Sequence, residues 1–249
     1  MADEIAELVA RASAPEAEGE DRRRRQKALA ALIPALTRSA KASGVRAVAA
    51  GRWLTELIVD LAPQVPVRDA ATLRSQNPGL FEAQIAERLV RQASKTTAAI
   101  GAAAGGLAAV EFLAPPMLLA APVQLAAEML TVTAVELKLV AELHELLGRP
   151  AQGNITERAS AYLMSWVRRR AITPALGGAG MSAAFGAAAK RELRSQVLRR
   201  IGRSTTGLAP FLAGAVAGAE VNRRATKGLG ETLIAELRGM NEERWFRQV

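Results

Sequence analysis

The stretch TTAAIGAAAGGLAAVEFLA, residues 96–114, carries most of the information about the fold class. Alanine and glycine dominate this stretch, and Glu111 is its one charged residue. Alanine is the best helix former, whereas strands favour aromatic and β-branched residues. The whole chain has the same bias, since 53 of its 249 residues are alanine and only 4% are aromatic. We therefore predict an all-α protein, a multi-helix bundle with a Gly/Ala-rich central helical hairpin.

Prolines divide this central region into two helices. Pro115, Pro116 and Pro122 follow the Gly/Ala-rich stretch. Proline lacks the backbone donor of a helix and clashes with the preceding turn, so a run of prolines separates one helix from the next. We predict a first helix to about residue 113 and a second helix over about 118–147.

Small residues recur every four positions in two parts of the chain. This spacing places them along one strip of a helix, where another helix backbone can approach closely. We predict that the helices carrying the two strips pack tightly, although an ordinary crossing in a soluble core explains the spacing equally well. The strips are Thr97, Gly101, Gly105 and Ala109 in the first helix and Gly214, Gly218 and Asn222 in the second.

Composition also suggests where the chain divides. Residues 1–75 are predicted to form an N-terminal helical region that contains a charged linker, PEAEGEDRRRR, at 15–25. Pro, Asp, Ser and Asn are frequent at 63–79, which is the best candidate for a boundary. We predict a larger helical domain over 76–240 and a frayed tail over 241–249.

Two further helices are indicated by apolar periodicity. Phe81, Ile85 and Leu89 are predicted to share one buried face of a helix. Asn154 is the predicted N-cap of another helix, whose apolar face begins with Ile155.

The charge of the chain is strongly asymmetric. Residues 149–249 contain 17 Lys and Arg against 7 Asp and Glu, a net charge of +10, whereas residues 1–148 contain 16 against 17. Such an excess favours an anionic partner, such as lipid headgroups, nucleic acid or an acidic protein. The alternative is that arginine is simply a common surface residue here.

The basic residues of the second half form the predicted lipid- or anion-binding surface, and the expected partner is an anionic membrane surface or a membrane protein. Each cation near such a surface is worth about 1 kcal/mol. Sequence-specific binding of nucleic acid is not expected, because the basic segments lack a recognition-helix signature and stacking aromatics. The candidate residues are Arg168, Arg169, Arg170, Lys190, Arg191, Arg194, Arg199, Arg200, Arg203, Arg223, Arg224 and Lys227.

The expected location is the cytoplasm, peripheral to the inner membrane. The opening Met-Ala-Asp-Glu has neither the basic start nor the apolar stretch of a secretory signal. A spanning helix needs about 20 predominantly apolar residues. The uncharged or nearly uncharged runs at 96–113 and 171–189 are mainly Ala and Gly, so neither makes a convincing span. Whether 96–147 inserts shallowly in lipid or forms a soluble core stays open.

Enzymatic chemistry has little support in the sequence. The chain has no Cys and one His, which excludes disulfides, thiolate metal sites and sites with several imidazoles. Phosphate-binding loops and nucleophile elbows are also missing from the sequence. We predict no catalytic residue, no metal and no cofactor. Glu111, Glu128 and His144 are the only candidates for a catalytic centre, and more often such residues pack or mark helix ends.

Two segments of the chain are similar to a bacterial protein family. One is ERLVRQASKTTAAIGAAAGG at 87–106, followed by the proline turn and a helix ending in AELHELLG, and the other is APFLAGAVAGAEVNRRATKGLGE at 209–231. Over residues 80–235 the chain resembles the EcsC family, although the aromatic residue usual near Asn222 is absent. The resemblance implies a helical, membrane-associated protein of unsettled biochemical role and supplies no catalytic residues. The positions that match the closing motif are Pro210, Gly214, Gly218, Asn222, Arg223, Arg224, Thr226 and Lys227.

Three functional hypotheses follow. The leading one is a non-enzymatic helical protein on the cytoplasmic face of the membrane, which binds anionic lipid or membrane partners through a basic C-terminal surface. The second is a soluble, self-associating interaction protein, a homo-oligomer whose small-residue strips pack inside the chain or across a dimer. The third is an enzyme that acts on an amphiphilic ligand near Glu111, Glu128 or His144.

Overall fold

The computed structural model describes residues 2–13, 20–49, 52–111, 120–170 and 211–246. This part of the chain is helical and contains no strand, so the predicted all-α class is confirmed. The helices are α1 (Ala2–Ser13), α2 (Glu20–Ser43), α3 (Val45–Ala49), α4 (Arg52–Leu61), α5 (Ala70–Ser75), α6 (Glu82–Glu111), α7 (Ala120–Leu146), α8 (Ile155–Arg170) and α9 (Phe211–Phe246).

Helix α7 lies at the centre of the fold. Every residue from 129 to 137 is buried, and α7 contacts α1, α2, α4, α6, α8 and α9. A helix that is apolar on most of its circumference can be stable in water only when other helices surround it. The central position of α7 therefore follows from its composition, in which Ala, Leu and Val predominate around three buried glutamates.

The N-terminal helices and the later helices share one hydrophobic core. Val9 of α1 and Ile58 of α4 pack in the same buried cluster as Ile85 of α6, Leu143 of α7 and Leu233 of α9. Side chains on both sides of the predicted 63–79 boundary thus contribute to continuous packing.

The helix ends carry the expected local signals. Asn154 Oδ1 accepts a hydrogen bond from the Glu157 amide at 3.0 Å, and Glu157 Oε2 accepts one from the Asn154 amide at 2.8 Å. This reciprocal pair is a capping box, so the predicted N-cap of α8 is confirmed. Gly148 follows α7 with φ of 71°, the left-handed conformation that glycine adopts after a helix C-terminus.

The sequence-based predictions were wrong at two places. Phe81 and Ile155 were expected on buried faces, but their exposed fractions are 79% and 72%. Phe81 precedes the first residue of α6 and Ile155 is the first residue of α8, so each lies where a helix is only beginning to pack. Helix α9 extends as far as Phe246, into the segment 241–249 that the sequence predicts to be a frayed tail.

Candidate functional site

Helices α6 and α9 are antiparallel and approach each other at two glycines. A Cβ added at Gly101 would lie 2.8 Å from the Gly218 carbonyl oxygen and 2.7 Å from Asn222 Nδ2. Contacts this short do not occur for real side chains, so only glycine fits at position 101 without a shift of the backbone. The structure therefore brings the Gly101 and Gly218 parts of the two predicted strips together within one chain.

A buried line of hydroxyl groups accompanies this glycine contact. Thr97 Oγ1 donates to Thr226 Oγ1 at 2.9 Å, and Thr226 Oγ1 donates to Glu136 Oε1 at 2.6 Å. Asn222 Nδ2 donates to Glu128 Oε1 at 2.8 Å. These bonds join α6, α7 and α9, so Thr97 and Asn222 stabilise the crossing of the helices rather than line a cavity.

Glu136 is fully buried and has a full set of partners. Its Oε2 atom accepts hydrogen bonds at 2.8 Å from Trp166 Nε1 and from Arg170 Nε, and a second Arg170 nitrogen pairs with Oε1. Arg170 was a candidate for binding external anions. In the structure its guanidinium group neutralises an internal carboxylate.

For the remaining positions of the small-residue strips, the structure describes the helical backbone but not the side-chain contacts. Gly105 and Ala109 lie in the helical backbone of α6, and Gly214 lies in that of α9. The contacts at these three positions lie outside the described residues.

The other described candidates for anion binding differ in exposure. Arg168 is exposed at the end of α8, whereas Arg169 is largely buried and pairs with Glu236 of α9. Arg169 therefore ties α8 to α9, as Arg170 ties α8 to α7.

Three basic residues of α9 each lie close to a carboxylate of the same helix. Arg223 and Arg224 both pair with Glu220, and hydrogen bonds from Arg223 and then Arg224 lower the pKa of Glu220 to about 2. Lys227 Nζ lies 3.6 Å from Glu231 Oε1. All three cations remain exposed to solvent. The six other candidates lie outside the described residues, namely Lys190, Arg191, Arg194, Arg199, Arg200 and Arg203.

Two further buried carboxylates of α7 were not singled out from the sequence. Glu142 accepts hydrogen bonds at 2.8 Å from Nε and Nη2 of Arg68, which raise the pKa of that guanidinium, and Lys138 Nζ lies 2.7 Å away. Glu145 pairs with Arg158 and accepts a hydrogen bond from the Tyr162 hydroxyl at 2.8 Å. The i, i+4 spacing of Lys138 and Glu142 was visible in the sequence, but their distant partners were not.

The residues of the enzyme hypothesis do not converge. Glu128 and His144 are 16 residues apart on α7, a separation of about 24 Å along the helix axis. His144 bonds to Ser165 Oγ at 3.0 Å and to the Arg149 carbonyl at 3.2 Å, and burial lowers its pKa. The side chain of Glu111 lies outside the described residues. Among the residues that the structure describes, no cluster of His, Asp or Glu could hold a metal ion.

A basic face that the sequence analysis missed lies on the solvent side of α6. It consists of Arg88, Arg91 and Lys95, all exposed, which we call the α6 basic face. Together with Leu80 and Gln92 they line a shallow groove of about 330 Å³. Glu87 lies 3.6 Å from Arg91, and no acidic side chain in the described part of the chain pairs with Arg88 or Lys95.

The spacing of these cations was a usable signal. Residues at i, i+3 and i+7 lie on one side of a helix, and positions 88, 91 and 95 have this spacing. The net charge of residues 1–148 did not reveal these three cations, because basic and acidic residues nearly cancel over that region.

None of the helices in the described part of the chain combines the length and the apolar character that crossing a bilayer requires. Comparison with known proteins found no matching family model, no matching curated protein and no matching solved structure.

Proposed function

We propose that this protein is a non-enzymatic helical protein that binds peripherally to the anionic cytoplasmic face of a membrane. The α6 basic face is the observation that carries this proposal. Three exposed cations occupy one side of a helix, and two of them have no acidic partner among the described residues. Each cation near an anionic bilayer contributes about 1 kcal/mol, so three contribute about 3 kcal/mol, which is roughly a hundredfold in partitioning.

The C-terminal excess of charge supports the same proposal. Residues 149–249 carry a net charge of +10 (17 basic minus 7 acidic), and Arg223, Arg224 and Lys227 are exposed on α9. The resemblance to the EcsC family favours a membrane-associated role as well. In the proposal the α6 basic face makes the main contact and the C-terminal cations add to the long-range attraction.

The self-association hypothesis has less support. It relied on the small-residue strips, and Gly101 and Gly218 of those strips already contact each other inside the chain. The enzyme hypothesis is weaker still, since Glu128 and His144 are held by separate hydrogen bonds far apart on α7.

Vesicle co-sedimentation tests the proposal. The purified chain is mixed with vesicles of phosphatidylcholine alone or of phosphatidylcholine with phosphatidylglycerol. We expect binding to the anionic vesicles only, with weaker binding at high salt because added ions screen exposed charges. Equal binding to both vesicle types, or binding to neither, contradicts the proposal.

Charge variants locate the contact. The variant Arg88→Gln, Arg91→Gln, Lys95→Gln should bind anionic vesicles about a hundredfold more weakly. The matched control removes the same net charge from exposed residues of the N-terminal region and should change binding far less. That control is Lys41→Gln, Arg46→Gln, Arg52→Gln.

A third variant, Arg223→Gln, Arg224→Gln, Lys227→Gln, tests the C-terminal surface itself. We expect a smaller loss than for the α6 basic face, because Glu220 already neutralises part of the charge of Arg223 and Arg224. A larger loss would move the main contact from α6 to α9.

A further inference from the structure

The turn before α6 presents two apolar side chains to solvent. Phe81 is 79% exposed and the neighbouring Leu80 is 36% exposed. Isolated apolar residues on a surface are common, so the exposure alone decides nothing. Phe81 differs because it is the most exposed of the large hydrophobic residues in the described part of the chain and lies beside the α6 basic face.

Hydrogen bonds hold this turn in place. The Leu80 amide donates to the Asn77 carbonyl at 3.2 Å, and the Phe81 amide donates to Gln84 Oε1 at 2.9 Å. The Phe81 carbonyl accepts a bond at 3.0 Å from the Ile85 amide, and Gly79 has φ of 78°. These bonds fix the backbone of the turn that carries the exposed Phe81.

The exposed turn lies beside the cations of α6. Phe81 immediately precedes the first residue of α6, and Arg88 and Lys95 are seven residues apart on that helix. Leu80 lines the same groove as Arg88, Arg91 and Lys95. This surface is thus apolar at the turn before α6 and cationic along α6 itself.

We propose that Leu80 and Phe81 enter the headgroup region of an anionic bilayer while Arg88, Arg91 and Lys95 contact the lipid phosphates. This inference rests on the proposed function and adds the point of insertion and the orientation of α6. Interfacial helices combine apolar insertion of about 5–10 Å with cationic attraction to anionic lipid. The stems of Arg and Lys can lie along the apolar boundary while their charges reach the phosphates.

The small size of the apolar turn favours lipid over a protein partner. A stable protein interface buries about 800 Å² on each partner. Phe81 can bury at most about 150–250 Å², and Leu80, which is only 36% exposed, adds less, so together they fall well short of that area. A bilayer needs no shaped complement, and its anionic headgroups match the three cations.

The chain has no Cys, so a cysteine placed at one position can be labelled alone. Phe81→Cys is labelled with an environment-sensitive fluorophore and mixed with vesicles of phosphatidylcholine and phosphatidylglycerol. The matched control is Ile155→Cys, another apolar position with 72% exposure. We expect a blue shift and quenching by brominated lipid for the label at position 81, and neither for the label at 155.

A binding assay gives an independent readout. Phe81→Ser should weaken binding to anionic vesicles about tenfold or more, because it removes a buried aromatic side chain from the bound state. This ratio should stay constant as salt rises, whereas the effect of neutralising the α6 basic face should shrink. The melting temperature of Phe81→Ser should equal that of the wild type, since the side chain is exposed.

The outcomes separate this inference from the proposed function. If the wild type binds anionic vesicles but the label at 81 stays in water, the insertion is refuted and the peripheral binding stands. If the wild type does not bind the vesicles, the proposed function fails first. A blue shift that grows with protein concentration in the absence of lipid would overturn the insertion in favour of a second copy of this chain.

Discussion

Replacing Gly101 by alanine tests the close approach of α6 and α9. The new Cβ would lie 2.7 Å from Asn222 Nδ2, 2.8 Å from the Gly218 oxygen and 2.9 Å from the Gly218 carbonyl carbon. Favourable carbon contacts lie at about 3.5–4.0 Å, so the helices must separate by about 0.5–1 Å. Two of the three close atoms belong to the α9 backbone, which cannot rotate away as a side chain can.

The expected loss of stability combines two opposing terms. Overpacking of a well-packed core costs about 1–3 kcal/mol, and backbone contacts favour the upper end of that range. Alanine gains about 1 kcal/mol over glycine in helix propensity. We therefore expect Gly101→Ala to destabilise the protein by about 2 kcal/mol, which lowers the melting temperature by about 4–8 °C for a chain of this size.

Two other glycines provide the controls for this measurement. Gly228 lies in α9 with no heavy atom within 4 Å of an added Cβ, so Gly228→Ala should raise the melting temperature by about 2–4 °C. An added Cβ at Gly218 would lie 3.4 Å from the Gly101 oxygen, an ordinary contact, so Gly218→Ala should be close to neutral. Thermal unfolding followed by circular dichroism ranks the variants. If Gly101→Ala is as stable as Gly228→Ala, the two helices do not pack as described.

Three further outcomes can be measured. Gly230→Ala should destabilise because its Cβ would lie 2.5 Å from Val90 Cγ2, and adding Val90→Ala should restore part of the loss in a urea-unfolding cycle. No recovery would mean that the strain lies elsewhere. Glu136→Gln should cost about 3–5 kcal/mol because it leaves the charge of Arg170 without its buried partner, and Arg170→Met in the same chain should recover part of it. A cost below about 1 kcal/mol would contradict a buried ion pair. Burial lowers the pKa of His144 from 6.5, so the unfolded chain binds the proton more readily, and stability should fall as pH falls below 6.5. The free energy of unfolding of His144→Gln should depend less on pH than that of the wild type. Identical pH profiles for the two proteins would show that His144 does not cause the pH dependence.

Periodicity predicted most of the helices because it depends on local spacing alone. The Gly/Ala-rich hairpin appears as α6 and α7, and Asn154 caps α8 as expected. The small-residue strips also indicated a close contact, and Gly101 meets Gly218. For the helices and the cap the physical cause lies within a few residues of the position concerned, whereas the glycine contact joins two helices that are distant in the sequence.

The candidate site was predicted less well, because exposure depends on distant parts of the chain. Arg168 and Arg170 lie in the same run of arginines, yet one is exposed and the other pairs with Glu136, 34 residues earlier. The cations of the α6 basic face lie in a region whose total charge is nearly zero, so the charge sum did not indicate them.

The sequence by itself determined the helical class, the close-packing glycines and the electropositive character of the C-terminal part. These properties depend on residue type alone. Each residue keeps its helix propensity and its formal charge, and each glycine its lack of a side chain, wherever it lies in the fold. Only the tertiary structure decided which charges are internal, because a buried carboxylate on α7 requires a counter-charge that the fold must bring from another helix. It also decided that Phe81 faces water, since exposure depends on which other parts of the chain cover a residue.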